Sequence, residues 1–349
     1  MYWVFVWLAA LVGLVFSLVT MPFVIKMMHR KGFLARDMYK KGTVKVPTNG
    51  GLIVLFGAFV ILIVLPVVLY AIWLLNAHFF KVGWMMKEPL SLTPLAQMTV
   101  LVVAIYGLYG LLDDYLKLDA YLKIIIPLLF TVPLIEPLYY VTVNLPIFGT
   151  VDNRAFVLFD GADIKFINLY RFIIVPVYVM VVANLFNMHS GYNGLQTGLS
   201  TIVLFFVVLK AVSIGKNTEI LGIATILGIC AGFWWYNKYP SEIFSGNVGS
   251  YVMGAAVGVA IIVTGLLVAG TVMLIPHIFN FLLYAYAKAR GIKIKKFGRI
   301  REDGTIEVPS NLTLKYLIPY YFRVTENQAT FILFGITLIF CIIGVFIPY

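Results

Sequence analysis

The chain has 349 residues, 62% of them hydrophobic and only 12% charged, where a soluble domain of this size carries about twice that charged fraction. This balance excludes a soluble globular enzyme and points to an all-α polytopic membrane protein, because a bilayer offers no water to satisfy an open backbone. The net charge of +11 would suit nucleic acid, but its uneven distribution follows membrane topology instead, and no nucleic-acid partner is expected.

About ten apolar stretches approach the ~20 residues needed to span, near 3–27, 50–75, 95–112, 122–141, 168–187, 195–213, 219–236, 247–268, 269–288 and 327–347. Met1–Met28 lacks a basic start and is long enough to span, so no cleavable signal peptide is read there. Pro127, Pro133 and Pro276 fall inside expected helices, where neighbouring segments must satisfy the freed carbonyls. Only Ala269-Gly270-Thr271 divides the eighth and ninth segments, and Pro276 before His277 predicts a bend that opens a groove for a lipid tail. Cys230 and Cys341 lie in separate apolar runs, which argues against a disulfide framework.

Of the 26 Lys and Arg residues, 19 fall in or beside the first, third, seventh and ninth loops. The positive-inside rule then places these loops in the cytoplasm and both termini outside. The external loop 142–167 alternates around Asp160-Gly161 and predicts a small hairpin. A second hairpin is predicted in 293–310, at Asp303-Gly304, within a cytoplasmic appendage (288–326) of a single membrane domain. The sequon-like Asn311-Leu312-Thr313 lies on that cytoplasmic side, where glycosylation is not expected.

Every informative polar motif falls in a loop assigned to one side. The first, KKGTVKVPTNGG, holds Lys45 and ends on paired glycines whose amides suit an anion, or it is a basic flank with a flexible turn. The second, LLDDYLKL, carries Asp113 and Asp114; if the helix continues, Lys117 lies one turn beyond Asp113 and Lys123 one turn beyond Asp119. Carboxylates at the mouth of an apolar helix are costly unless a cation or partner charge meets them. Such a cluster suits Mg²⁺ facing a phosphate chain, with a helix-end ion network as the plainer reading.

The third, NLFNMHSGYNGL, is richer in Asn and Gly than a turn between helices requires. Its amides both donate and accept, as a sugar, a uracil edge or a metal-bound oxygen demands. His189 in this stretch reads as a solvated turn residue rather than a phosphate donor. The fourth, NKYPSEIFSGNVGS, offers Phe244 as a stacking platform or interfacial anchor, and Asn247 as a cap for the eighth helix. The fifth, KIKKFGRIR, suits phosphate or anionic lipid headgroups.

Taken together and in order, these motifs resemble the polyprenyl-phosphate N-acetylhexosamine-1-phosphate transferase superfamily, and the likeness covers nearly the whole chain. YPSEIFSG and MLIPHIFNFLLY are similar to its UDP-GlcNAc:dolichyl-phosphate branch. The resemblance implies a Mg²⁺-dependent enzyme, Mn²⁺ being an alternative ion, with Asp113, Asp114, Lys123 and Asn187 as catalytic residues. It implies metal ligation by Asp114, Asn187 and Asn247, and Asp113 as base toward the lipid phosphate. It assigns substrate binding to Lys45, Lys117, Asn184, Gly191, Asn193, Phe244, Lys295, Lys296, Arg299 and Arg301. Among these, Lys123 faces the pyrophosphate, Gly191 and Asn193 the uridine, and Phe244 the uracil ring.

The implied reaction is direct attack of a polyprenyl or dolichyl phosphate on UDP-GlcNAc, without an aspartyl-phosphate intermediate. The implied partners are those two substrates and the lipid bilayer, with homodimerisation open. The implied setting is a prokaryotic plasma membrane, an archaeal one foremost, or endoplasmic reticulum, with the site facing the cytoplasm. Two departures stand out. Asn247 occupies the place of the superfamily's aspartate, which leaves another UDP-N-acetylhexosamine donor or a catalytically impaired relative as alternatives; the late loop offers Lys295, Lys296, Arg299 and Arg301 where His and Arg are usual. A transporter built on two symmetric halves fits less well, because no internal repeat is visible.

Overall fold

The structure is a computed structural model that describes residues 2–76, 78, 92–140, 143–145, 149–151, 155–159 and 162–349. Helix α1 (Tyr2–Arg30) leads into an antiparallel hairpin of β1 (Leu34–Arg36) and β2 (Lys45–Pro47), and then α2 (Leu52–Leu75). Helix α3 (Pro94–Leu116) opens on Thr93, whose side chain accepts the Ala96 N–H, with Pro94 in the first turn. It closes where Lys117 turns left-handed at φ 52°. After α4 (Leu122–Ile125) come α5 (Phe166–Leu169), a π-turn at Tyr170–Ile174, and α6 (Val175–Met188). There follow α7 (Leu195–Ser213), α8 (Leu221–Asn237), α9 (Gly246–Val263), α10 (Leu267–Met273) and α11 (Ile275–Ala289). Helices α12 (Leu314–Tyr321) and α13 (Glu326–Phe346) complete the chain.

Among the described residues, seven helices are long and apolar enough to cross a membrane, and α10 with α11 forms an eighth candidate span bent by 64°. The shorter α8 and the segment from Leu122 are also apolar. The helices follow the order of the ten expected segments, but among the described residues only seven or eight of them are long enough to span. Helix α9 is buried along nearly its whole length, with α3, α6 and α7 packed around it. By contrast, α1 exposes Leu8, Leu11, Val12, Val15 and Val19, and α13 exposes Phe331, Ile339, Ile343 and Phe346. Those apolar faces suit lipid, which has no reason to be covered by protein. Cys230 and Cys341 are both buried and free.

Several expectations are corrected. The segment 122–141 is not one helix: past α4 it continues as 3₁₀ turns at Ile126–Leu129, Val132–Leu134 and Pro137–Tyr140. Pro127, Pro133 and Pro137 each remove an N–H donor, so the regular ladder cannot run through. The division between the eighth and ninth segments falls at Thr264–Leu266, ahead of Ala269. Gly265 (φ +72°) and Leu266 there return their N–H groups to Ile262 and Ile261. The predicted bend is present: Pro276 lies in the first turn of α11, after the break from α10.

In the 142–167 loop, β3 (Val143–Leu145) pairs with β4 (Gly149–Val151) and β5 (Ala155–Phe159) with β6 (Ala162–Lys165), so two hairpins replace the expected one. The Asp160-Gly161 turn itself lies outside the described residues. The hairpin at Asp303-Gly304 forms as predicted, with β7 (Arg299–Ile300) against β8 (Ile306–Glu307) and Gly304 at φ +82°.

Candidate active site

The end of α3 and the start of α9 are built into each other. Asp114 Oδ1 accepts the Asn247 N–H at 2.9 Å and Oδ2 the Val248 N–H at 3.0 Å. These are amides at a helix start that have no partner within the helix. Asn247 therefore does not cap α9, as the sequence suggested; it lies inside the first turn, and a carboxylate from α3 does the capping. Gly110 permits the approach, since a Cβ there would stand 2.6 Å from the Asn247 carbonyl.

Asp113 is buried, and each of its oxygens is engaged. Oδ1 accepts the Leu118 N–H at 3.0 Å, while Oδ2 accepts Lys123 Nζ at 2.7 Å and Asn247 Nδ2 at 2.9 Å. The helix stops at Leu116, so neither expected one-turn side-chain pair forms. The left-handed turn at Lys117 folds 118–123 back over Asp113, and Lys123 reaches that carboxylate in place of Asp119. Lys117 itself is exposed.

Amides complete this inner group. Asn184 Nδ2 donates to the carbonyls of Met180 and Lys123, and its Oδ1 lies 3.4 Å from the Tyr251 hydroxyl. Tyr251 also meets Asn187, half-buried in the last turn of α6. Thus Asp113, Asp114, Lys123, Asn184, Asn187 and Asn247, from α3, α4, α6 and α9, converge at one end of the bundle.

The remaining motifs assemble around that end. The Gly50 and Gly51 N–H groups donate to the carbonyls of Phe244 and Ser245 at 2.8 and 3.0 Å, and the Phe244 N–H to Pro47 at 2.8 Å. The paired glycine amides are thus taken by backbone and are not free for an anion. Phe244 is half-buried beside the first loop. Gln196 ties the third motif to the fourth: its Oε1 accepts the hydroxyls of Ser245 and Ser250, each at 3.0 Å, and its Nε2 donates to Phe186.

Asn193 is buried, giving its backbone N–H to Glu326 at 2.6 Å and its Nδ2 to Asp37 and Glu326 at 3.1 and 3.2 Å. It works here as a strut between the first loop and α13. Gly191 lies against Lys315. The basic loop joins the same surface, since the Gly298 N–H donates to the Tyr39 hydroxyl at 3.1 Å and Tyr39 stacks edge-on to Tyr192. Lys45, Lys295, Lys296 and Arg299 are exposed, whereas Arg301 donates to the Ile306 carbonyl at 2.7 Å within its own hairpin.

His189 is not the solvated turn residue expected. It is buried against His277, ring centroids 4.9 Å apart, and His277 lies 4.2 Å from Phe186. Burial, reinforced by the nearby Lys315 charge, pushes its pKa down to about 3, so it is neutral at physiological pH. Asp37, Gln196, Lys315 and Glu326 were not singled out from sequence. The one signal available was a polar residue inside an apolar helix, at Gln196 and Lys315.

The superfamily resemblance implies a divalent ion, and the donor set agrees in kind. Two carboxylates and three amide oxygens are the hard ligands such an ion takes. Asp113 accepts three protein donors, two of them on Oδ2, and Asp114 accepts one on each oxygen, so of about four lone-pair sites per carboxylate Asp114 keeps the larger share for an ion. Asn247 gives its amide nitrogen to Asp113, which leaves its oxygen on the other branch. The carboxylate charge is low: among the described residues no three His, Cys, Asp or Glu side chains group for a metal.

Comparison with known proteins agrees with this arrangement. Residues 96–265, which contain the whole inner group, match the model of glycosyl transferase family 4. A Sulfolobus acidocaldarius protein provisionally named UDP-N-acetylglucosamine–dolichyl-phosphate N-acetylglucosaminephosphotransferase is 26% identical over 347 residues, 97% of this chain and 94% of its own. A Saccharolobus solfataricus protein of the same provisional name is 26% identical over 345 residues, 97% of this chain and 95% of its own. A phospho-N-acetylmuramoyl-pentapeptide-transferase from Desulforamulus reducens is 27% identical over 301 residues, 79% of this chain and 82% of its own. With the motifs in order and the inner group inside the matched region, the chain is similar to glycosyl transferase family 4 and consistent with the polyprenyl-phosphate hexosamine-1-phosphate transferases.

Proposed function

We propose that the protein transfers GlcNAc-1-phosphate from UDP-GlcNAc to a membrane polyprenyl phosphate of the dolichyl type, giving polyprenyl-diphosphate-GlcNAc and UMP. The observation that carries this is the meeting of Asp113, Asp114, Lys123 and Asn247 at the membrane-helix ends, ringed by basic loops. An oxygen of the lipid phosphate attacks the sugar-bearing phosphorus of the donor. The bond from that phosphorus to the bridging oxygen breaks, and UMP leaves with the electron pair. Phosphoryl transfer asks a protein mainly for placement and charge neutralisation.

Lys123, held at Asp113, supplies positive charge for the pyrophosphate. Asp114, Asn187 and Asn247 would hold Mg²⁺, or Mn²⁺ in its place. The bound ion would neutralise charge developing on the phosphate oxygens. The exposed Lys45, Lys295, Lys296 and Arg299 draw the anionic donor to this end. The asymmetry of Lys and Arg supports a cytoplasm-facing site in a prokaryotic plasma membrane or the endoplasmic reticulum. The GlcNAc donor is favoured over another N-acetylhexosamine because relatives provisionally named for it match across nearly the whole chain.

The test is reconstitution in lipid nanodiscs with dolichyl phosphate, competing UDP-GlcNAc against UDP-GalNAc and UDP-MurNAc-pentapeptide. The expected result is a lipid-linked product from UDP-GlcNAc, abolished by Asp114→Ala. Product formed only from another donor would overturn the substrate assignment.

A further inference from the structure

Lys315 is a lysine set in the apolar helix α12, and only 8% of it is exposed. Its Nζ donates to the Ser190 carbonyl at 3.0 Å and to the Lys296 carbonyl at 3.2 Å. Its own carbonyl accepts the Tyr192 hydroxyl at 2.8 Å. The rings of Tyr316 and Phe297 lie 5.0 and 5.9 Å from the ammonium. Gly191 makes the space: a Cβ there would run into Nζ, and its φ of +119° is one that side chains rarely adopt.

No carboxylate forms an ion pair with Lys315 among the described residues. An apolar side chain would fill this volume without the desolvation cost of a buried charge. What an apolar side chain could not do is hold two loops through their carbonyls at once. One is the 189–194 turn, the other the 293–301 basic loop.

We propose that Lys315 is a positioning residue that locks the 189–194 turn to the basic loop, so that the two segments addressing the sugar nucleotide act as one unit. The assignment rests on reading the site as a UDP-sugar phosphotransferase. The titratable groups around the ammonium are His189 from the turn, Lys296 from the basic loop, Tyr316 on its own helix and Tyr192 behind its carbonyl. His277 of α11 and Tyr39 of the first loop lie beyond them. Burial, with the Lys296 charge second, brings the Lys315 pKa down to about 8. The charge-assisted bonds are therefore complete below that pH and weaken as pH rises through it. Global stability moves the other way between about 8 and the ordinary lysine value, because there the unfolded chain binds more protons than the folded one.

The experiment measures KM and kcat for UDP-GlcNAc from pH 6.5 to 9.5 in nanodiscs, together with backbone hydrogen exchange of the ligand-free protein. Lys315→Met is expected to raise KM about tenfold at neutral pH, the scale of one charge-assisted hydrogen bond. Its kcat stays within about twofold, and both loops lose exchange protection together. Lys315→Arg, which keeps its charge, is expected to hold KM flat to pH 9 while the native KM climbs; this arm stands even if the Met variant does not fold. A folded Lys315→Met with native KM, loss of protection in one loop only, or a native KM flat across pH 8 would overturn the proposal. A native protein that turns over no UDP-sugar, yet loosens both loops together in Lys315→Met, would support the lock and overturn the transferase reading.

Discussion

At position 247 an amide nitrogen stands 2.9 Å from the same Asp113 oxygen that Lys123 meets at 2.7 Å. An aspartate there would add a third carboxylate to a pocket holding one lysine. It would lose the Asp113 hydrogen bond and gain repulsion unless a cation intervened. Asn247→Asp is therefore expected to lower the melting temperature in chelator and recover it with Mg²⁺. It should also tighten Mn²⁺ binding about tenfold, roughly 1.4 kcal/mol, by electron paramagnetic resonance. Unchanged Mn²⁺ affinity would count against Asn247 facing the ion. Lys123→Met leaves the buried Asp113 charge without its cation, which costs about 3 kcal/mol on denaturant unfolding. It should lower kcat at least about a hundredfold, the scale of one lost electrostatic stabiliser. The inner residues were legible because carboxylates and asparagines at the ends of apolar runs have few other reasons to be there. The partners were not. Nothing in LLDDYLKL says that the helix stops at Leu116 and that Lys123 returns to Asp113.

Among the elements, the α3–α9 junction depends on a missing side chain. With Gly110→Ala, the new Cβ would press on the Asn247 carbonyl at 2.6 Å and the Val248 Cα at 2.8 Å. Overpacking of that kind costs about 1–3 kcal/mol. The start of α9 would shift away from Asp114, and both melting temperature and kcat should fall. A native kcat in Gly110→Ala would show that the junction tolerates movement. The apolar spans were readable from length alone, since few other structures need ~20 consecutive apolar residues. The proline-rich segment after Lys123 was misread because hydropathy does not register missing N–H donors. Its apolar side chains satisfy the membrane while its backbone goes into 3₁₀ turns. The bend between α10 and α11 was foreseen because Pro276 is a local cause visible in the sequence.

For the molecule as a whole, motifs dispersed from Lys45 to Arg301 along 349 residues gather at one end. Their gathering was legible because the positive-inside count put all of them in loops of one side. The ties that achieve it were not, since Asn193 to Asp37 and Glu326 spans the chain nearly end to end. Native Cys230 and Cys341 are buried, so single cysteines can report sidedness. Thr43→Cys is expected to react with an impermeant maleimide only from the cytoplasmic side, and Ser213→Cys only from outside. The reverse pattern would invert the topology.

The most direct test of phosphosugar transfer follows the β-phosphorus of the donor. With UDP-GlcNAc labelled there with ³²P, dolichyl phosphate and Mg²⁺, the label should enter the lipid fraction mole for mole with unlabelled UMP. Label remaining in released UDP while the sugar reaches the lipid would contradict the account.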